Sequence, residues 1–362
     1  MTIALDLGGH ALRSLRRRGD GLVARRCRSI AACVADNEAR RRWLAASKIP
    51  HLVAEECLVI PGDAAIEAEG LCEALPIDLL PNAELPAGDP VTRQVLAALV
   101  DGLLPRPMSR GVVCCFTQPG YHESLVADPE SGDQRLEFFT RLIHLRGYRA
   151  LPVNPATALV LAELGSHGFT GIGISPGASG CELAVVHRGQ QLTCARLARG
   201  GRWIDEQIAR RQELVRRDSA EEIVLDLDGA RAQKEDTSFM SSMSPKALAV
   251  GEICRQNIAE IAEALAGMLA SDPRLALLPQ PLPVVCCGGP TQIAGFAEQL
   301  ERELDRCNPA VDLEAPWVVP DSEFTIARGC LIRATVEESV ASHAAQSAAN
   351  PLFRQQPAAT GV

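Results

Sequence analysis

Four glycine turns punctuate this chain in a fixed order: Asp6-Leu7-Gly8-Gly9 near the start, Pro176-Gly177-Ala178-Ser179-Gly180 in the middle, Gly200-Gly201 with Asp205 soon after, and Gly288-Gly289 late. Each follows or opens a short apolar run and so reads as the turn at the end of a buried strand. Glycine at such places lets backbone N–H groups converge, the arrangement by which a main chain cradles an anion. One such turn is only a turn. Four in this order describe two similar halves facing a common cleft.

The segments between the turns fit a mixed α/β fold. Thr2 to Leu7 reads as a buried strand, followed by short strands around Ala11 to Leu15 and Leu22 to Arg26, so the chain opens as a meander. Asn37 to Ala46 suits a short amphipathic helix or an arm of an insert, and the prolines between Pro76 and Pro90 mark a loop. A helix follows from Pro90 to Leu103, with proline suited to its first turn. Gly111 to Phe116 and Arg149 to Val153 read as strands; Gln134 to Leu145 and Ala156 to Leu164 read as helices. Strands Gly171 to Ile174 and Glu182 to Val186 then flank the second turn. Further on we expect a helix over Ile204 to Arg217, a strand-like stretch over Glu221 to Asp228 and a loop over Lys234 to Pro245. A long helix over Ala249 to Leu269, a strand over Val284 to Cys287 and a helix over Thr291 to Cys307 complete the pattern. An approximate duplication is thus readable at residues 1–150 and 170–335.

Composition narrows the function classes. At 362 residues with 47% hydrophobic content, the chain can bury two cores. A net charge of -9 disfavours nucleic acid as the main partner, despite the local basic runs at Arg16 to Arg18 and Arg40 to Arg42. The 13 cysteines are odd in number and scattered, which points to a reduced compartment rather than a disulfide framework. No CxxC pair or His/Cys ligand spacing marks a metal site made by the protein alone. No apolar run approaches the roughly 20 residues that span a bilayer, and no targeting leader opens the chain. We therefore expect a soluble cytoplasmic protein and leave peripheral membrane contact open.

In order and spacing these motifs resemble the actin, Hsp70 and sugar-kinase superfamily, and within it the bacterial MreB-like actin homologues. The likeness runs from Ile3 to about Ala334. Asp6-Leu7-Gly8 is similar to the first phosphate motif, and Pro61-Gly62-Asp63 to the small turn that follows it. Val112 to Gly120 matches the strand ending in Pro-x-Gly, Asn154-Pro155-Ala156 the Glu-Pro-x-Ala-Ala segment, and Ser175 to Gly180 the second phosphate motif. Gly200-Gly201 with Asp205 matches the Gly-Gly-x-x-x-Asp turn, Ala220-Glu221-Glu222 the adenosine segment, Gly288-Gly289 the turn under the base, and Ala327-Arg328-Gly329 the closing segment.

The resemblance implies a two-domain actin-like ATPase fold, ribonuclease H-like, with an interdomain nucleotide cleft. Domain I would span residues 1–151 with an insert at about 30–85, and a helix at about 330–342 would return to it. Domain II would span 152–329 with an insert at about 212–248, and 343–362 would be a flexible tail. ATP or ADP would contact Gly8, Gly9, Gly177, Ala178, Ser179, Gly200, Gly201, Asp205, Glu221, Gly288 and Gly289. Asp6 would face the phosphates and hold Mg²⁺ through water, and Asn154 would stand at the water-positioning place. The role implied is that of a cytoskeletal filament subunit or conformational switch, of the kind linked to cell shape, with self-association and otherwise unidentified cytoplasmic partners.

Departures from the family pattern bear on the chemistry. The water-positioning glutamate is Asn154, the second-motif aspartate is Ser175, Pro290 stands for the third glycine near the base, and Val224 stands where a basic residue is expected. Asparagine can hydrogen-bond water but cannot take its proton. These changes predict a slow, Mg-dependent ATPase at most, or a pseudo-ATPase that has lost hydrolysis. Two rivals follow: a non-hydrolysing scaffold of the same fold, and, ranked last, a sugar-kinase-type phosphotransferase.

Overall fold

The computed structural model describes all residues except 1, 55, 73, 110, 123–132, 218–221, 237–239, 241, 321–322 and 350–362. Two five-stranded sheets share one topology. The first has the order β3-β2-β1-β8-β9 and the second β12-β11-β10-β15-β16. In the first, β1 (Ile3–Leu7), β2 (Ala11–Arg18) and β3 (Gly21–Arg28) form an antiparallel meander, and β8 (Val113–Thr117) and β9 (Arg149–Val153) add in parallel. The second repeats this with β10 (Gly171–Pro176), β11 (Cys181–His187) and β12 (Gln190–Leu197), then β15 (Val284–Cys286) and β16 (Trp317–Val318). The strand β12 went unread in the sequence, because its polar residues mask the alternation.

Period-two patterning sorts the side chains of each sheet between two cores. Ile3, Leu5, Leu7, Cys114 and Phe116 face outward onto helices Pro90–Leu103 and Gln134–Leu145. Ala4, Val113 and Cys115 face inward, where they share a core with Ala184, Val186 and Val285 of the second sheet. Two helices fill the space between the sheets: Pro155–Glu163 and Thr325–Ala349. They approach so closely that a side chain at Gly329 would collide with the Ala158 carbonyl. Ile172, Ile174, Leu183 and Val284 face the far side, under helices Pro245–Ser271 and Phe296–Cys307.

Each half carries a smaller insert. In the first, β4 (Ile30–Ala35), β5 (Leu52–Ala54), β6 (Cys57–Pro61) and β7 (Ile77–Asp78) form a sheet ordered β5-β6-β4-β7, packed on helices Glu38–Ala46 and Ala64–Cys72. In the second, β13 (Val215–Arg217) and β14 (Ile223–Leu225) pair beside helix Leu227–Glu235. Several expectations need correction here, among them the loop expected over Lys234 to Pro245, whose ends belong to helices Leu227–Glu235 and Pro245–Ser271. The helix expected over Ile204 to Arg217 is Gly201–Arg211, because Glu213 adopts a left-handed backbone and the chain turns into β13. The helix expected from Thr291 starts at Phe296, after a 3-10 turn at Gly289–Gln292 and left-handed Gly295. The last helix begins at Thr325 and runs to Ala349, into the segment expected to be a flexible tail. No described helix is long and apolar enough to cross a membrane.

Candidate functional site

A cleft of about 810 Å³ opens between the two sheets, lined from both halves by the ends of their first strands and by the glycine turns. In volume it falls within the usual range for a small-molecule pocket. The two hairpins meet across it: a side chain at Gly9 would strike the Ser179 hydroxyl, which is buried without a hydrogen-bond partner. Of the expected contact residues, Gly8, Gly9, Gly177, Ala178, Ser179, Gly201, Asp205, Gly288 and Gly289 line the cleft. Gly200 instead packs beneath the second hairpin, where a side chain would collide with the Gly177 and Ala178 carbonyls. Glu221 lies outside the described residues.

Register aligns a row of charged side chains across each sheet. In the first sheet Asp6 of β1 pairs with Arg13 of β2, and Arg13 with Arg26 of β3. Arg13 Nη1 donates to Asp6 Oδ2 at 3.1 Å, while Thr117 Oγ1 donates to Asp6 Oδ1 at 3.2 Å. Thr117 in turn accepts from the Leu7 N–H at 2.7 Å. Opposite unit charges at such a separation attract by roughly 4 kcal/mol at an effective dielectric of 20, before desolvation is counted. Asp6 is therefore committed within the protein.

In the second sheet the corresponding row is Ser175, Glu182 and Arg196. The carboxylate has moved one strand over. Glu182 Oε2 accepts from the Gly120 N–H at 2.8 Å and from Asn154 Nδ2 at 3.0 Å, and Oε1 pairs with Arg196 Nε at 3.3 Å. Burial pushes its pKa up from the usual carboxylate range, against these three donors. Asn154 is fully buried, and its Oδ1 caps helix Pro155–Glu163 by accepting from the Ala156 N–H at 2.8 Å. The side chain expected to position water thus spends its carbonyl on the helix and an amide hydrogen on Glu182.

The third turn is braced by charge as well. Asp205, 2% exposed, receives Lys234 Nζ at 2.5 Å and Arg231 Nε at 3.5 Å. Lys234 also donates to the Gly201 carbonyl at 3.2 Å. Burial pushes the Asp205 carboxyl up while Lys234 pulls it back down. Lys234, on helix Leu227–Glu235, brings to the cleft the cation missing at Val224. At the fourth turn Gly288 has φ 152° and a side chain there would run into the Pro176 carbonyl, so glycine is required by both conformation and space.

Sequence reading missed Arg13, Arg135, Glu182, Arg196, Arg202 and Lys234. A lone charge inside an apolar strand, as in Cys181-Glu182-Leu183, was the available signal. Arg135 is buried and holds the end of β1 by donating Nη2 to the Leu7 carbonyl at 2.8 Å; burial lowers its pKa to about 10. Arg202 pairs with Asp78 Oδ2 at 2.6 Å, Arg216 with Glu69 at 3.5 Å, and Arg196 Nη2 donates to the Asn82 carbonyl at 2.7 Å. These three contacts bridge the cleft from one half to the other. Within it, burial and the nearby Arg231, Arg28, Arg26 and Arg13 push the His10 imidazole down to about 4. Six cationic side chains line the cleft beside five carboxylates, and most of them stand in ion pairs.

Comparison with known proteins agrees with this architecture. The Volactin family profile matches residues 1–334. The chain belongs to the Volactin family. This Volactin chain is similar in fold to a solved MamK double helical filament, with 18% identity and a TM-score of 0.63 over 92% of this chain and 99% of that one. It is also similar to MreB5 of Spiroplasma citri bound to AMPPNP, with 14% identity and a TM-score of 0.64 over 94% and 98%. The ADP-bound form of that MreB5 gives 13% identity and a TM-score of 0.63. No curated protein matches the sequence. The fold is thus the actin-like one that the motif order implied.

Two groups that this fold implies can be tested against the Volactin residues present. A polyphosphate fits: two glycine hairpins, an unpartnered Ser179 hydroxyl and arginine side chains face one space. Magnesium does not. It wants oxygen ligands, including one or two carboxylates near the phosphates, and Asp6 is held by Arg13 while its counterpart is Ser175. Among the described residues no group of three or more His, Cys, Asp or Glu could hold a metal ion.

Proposed function

We propose that this chain binds an adenine nucleotide in the cleft and acts as a conformational switch or filament subunit. The observation that carries the reading is the meeting of the two hairpins, Gly8-Gly9 and Gly177 to Ser179, in a cleft between two sheets of the same topology. Phosphates would lie against both hairpins. The base would rest near Gly288-Gly289 among Met240, Pro290 and Ile293. A ligand touching both halves favours the closed arrangement by its differential affinity for it. The MreB5 structures with AMPPNP and ADP support nucleotide as the ligand class, and the MamK filament supports self-association.

Hydrolysis is slow or lost in this reading. Asn154 caps a helix, and both oxygens of Glu182 already accept from the protein, so neither is free to take a proton from water. The test is a calorimetric titration with ATP and ADP, followed by sedimentation over a range of protein concentrations. Saturable binding and nucleotide-dependent pelleting are the expected results; absence of both overturns the reading. A scaffold that needs no nucleotide is the second reading, favoured by the Arg202–Asp78 and Arg216–Glu69 pairs that bridge the cleft unaided. Binding of neither nucleotide, with pelleting unchanged, would select it.

A further inference from the structure

We propose that Arg13 takes the place of the divalent cation in this cleft, so that the chain binds nucleoside polyphosphates as metal-free anions. The inference rests on the nucleotide reading above and deepens it. Asp6 and Arg13 are direct cross-strand partners at the base of the first hairpin, and their ion pair spans 3.1 Å. Arg13 Nη1 also lies 3.7 Å from where a side-chain carbon on Gly8 would stand, so the positive charge sits under the hairpin itself. Its Nε is buried with no partner, and the guanidinium lines the cleft.

A divalent ion at Asp6 would have to displace that guanidinium or stand beside it against its charge. The second hairpin offers no substitute ligand, since Ser175 replaces its aspartate and Glu182 is spent on Gly120, Asn154 and Arg196. A guanidinium suits the vacated role. It keeps its charge at every physiological pH and presents a planar fork of donors to phosphate oxygens. Ser179, buried and unpartnered on the facing hairpin, supplies a further hydroxyl donor toward the same space. Arg26, the next residue in the row, also lines the cleft and is paired with Glu323 at 2.9 Å.

The experiment is a titration of the full chain with ATP and ADP in excess Mg²⁺ and again in EDTA. In parallel, Mn²⁺ without nucleotide is titrated and followed by electron paramagnetic resonance. We expect removal of Mg²⁺ to change the wild-type Kd by less than about threefold, and Arg13→Ala to weaken metal-free binding by about tenfold or more. Arg13→Lys, which keeps a point charge without the fork, should fall between them, and it carries the test should Arg13→Ala fail to fold. Wild-type binding that requires Mg²⁺, or a Mn²⁺ site abolished by Asp6→Asn, overturns this inference and leaves the nucleotide reading standing. Absence of nucleotide binding in both buffers overturns the two together.

Discussion

The two sheets solve the same strand order with different charge arrangements. Across the first, Asp6, Arg13 and Arg26 follow one another on adjacent strands; across the second, the same register holds Ser175, Glu182 and Arg196. The first row pairs its acid at once with Arg13, while Arg26 pairs with Glu323. The second carries its acid one strand nearer the sheet edge, where it ties Gly120 of one half to Asn154 and Arg196 of the other. A repeated fold therefore specialises its halves: one closes its acid in a local pair beside the cleft, the other staples the halves together. Backbone topology sets where the rows lie, and single residues decide what each row does.

Removing the staple should have the largest effect. Glu182→Ala strands Arg196 and leaves the Gly120 N–H and the Asn154 amide without their acceptor. It should cost about 3–5 kcal/mol of unfolding free energy in urea titration, because breaking one side of a buried pair leaves an uncompensated charge. Breaking the first row should cost less, since Asp6 accepts from two donors where Glu182 has three, and its side chain is 12% exposed against 7%. For Asp6→Asn we expect a loss of about 1.5–3 kcal/mol, the range for a hydrogen bond to a charged group. A loss equal to that of Glu182→Ala would show that the two rows carry the same load.

Making the second row resemble the first is a sharper test. Ser175→Asp places a carboxylate directly opposite Glu182, and facing like charges should destabilise by on the order of 1 kcal/mol. A stabilised variant in thermal melts would sink the view that the second row has no room for the family's aspartate. A separate effect concerns protons. With His10 held near 4 in the folded chain against an ordinary 6.5, the unfolded chain takes up the proton first as pH falls. Stability should therefore decline through the window from about 6.5 to 4, by less than one proton per molecule, and His10→Asn should flatten that slope. A polyphosphate in the cleft should raise the imidazole again, so binding at pH 5 should take up protons, measurable by calorimetry in buffers of different ionisation enthalpy.

Much of the fold was legible because local chemistry marks strand ends and helix starts without reference to the rest of the chain. Asp89 and Asn154 cap helices where proline follows, and apolar runs such as Val113 to Phe116 announce buried strands. Helix Gln134–Leu145 and strand Arg149–Val153 have the bounds that their periodicity predicts. Legibility failed where one residue's backbone overrides a periodic pattern, as left-handed Glu213 and Gly295 do. It failed again at β12, whose polar residues Gln190, Gln191, Thr193 and Arg196 hide a strand that pairs along β11.

By itself the sequence determined the order of turns, the two-fold repeat and the glycine positions that bring both hairpins to one cleft. It also showed which family acids are missing, because each motif is local and its departures can be read in place. Only the tertiary structure decided the fate of the charges that remain. Asp6 stands seven residues from Arg13 and Glu182 stands 28 from Asn154, and sheet register, not spacing, brings them together. Coulomb attraction depends on distance in space and on burial, and neither is written in the chain until the strands have paired.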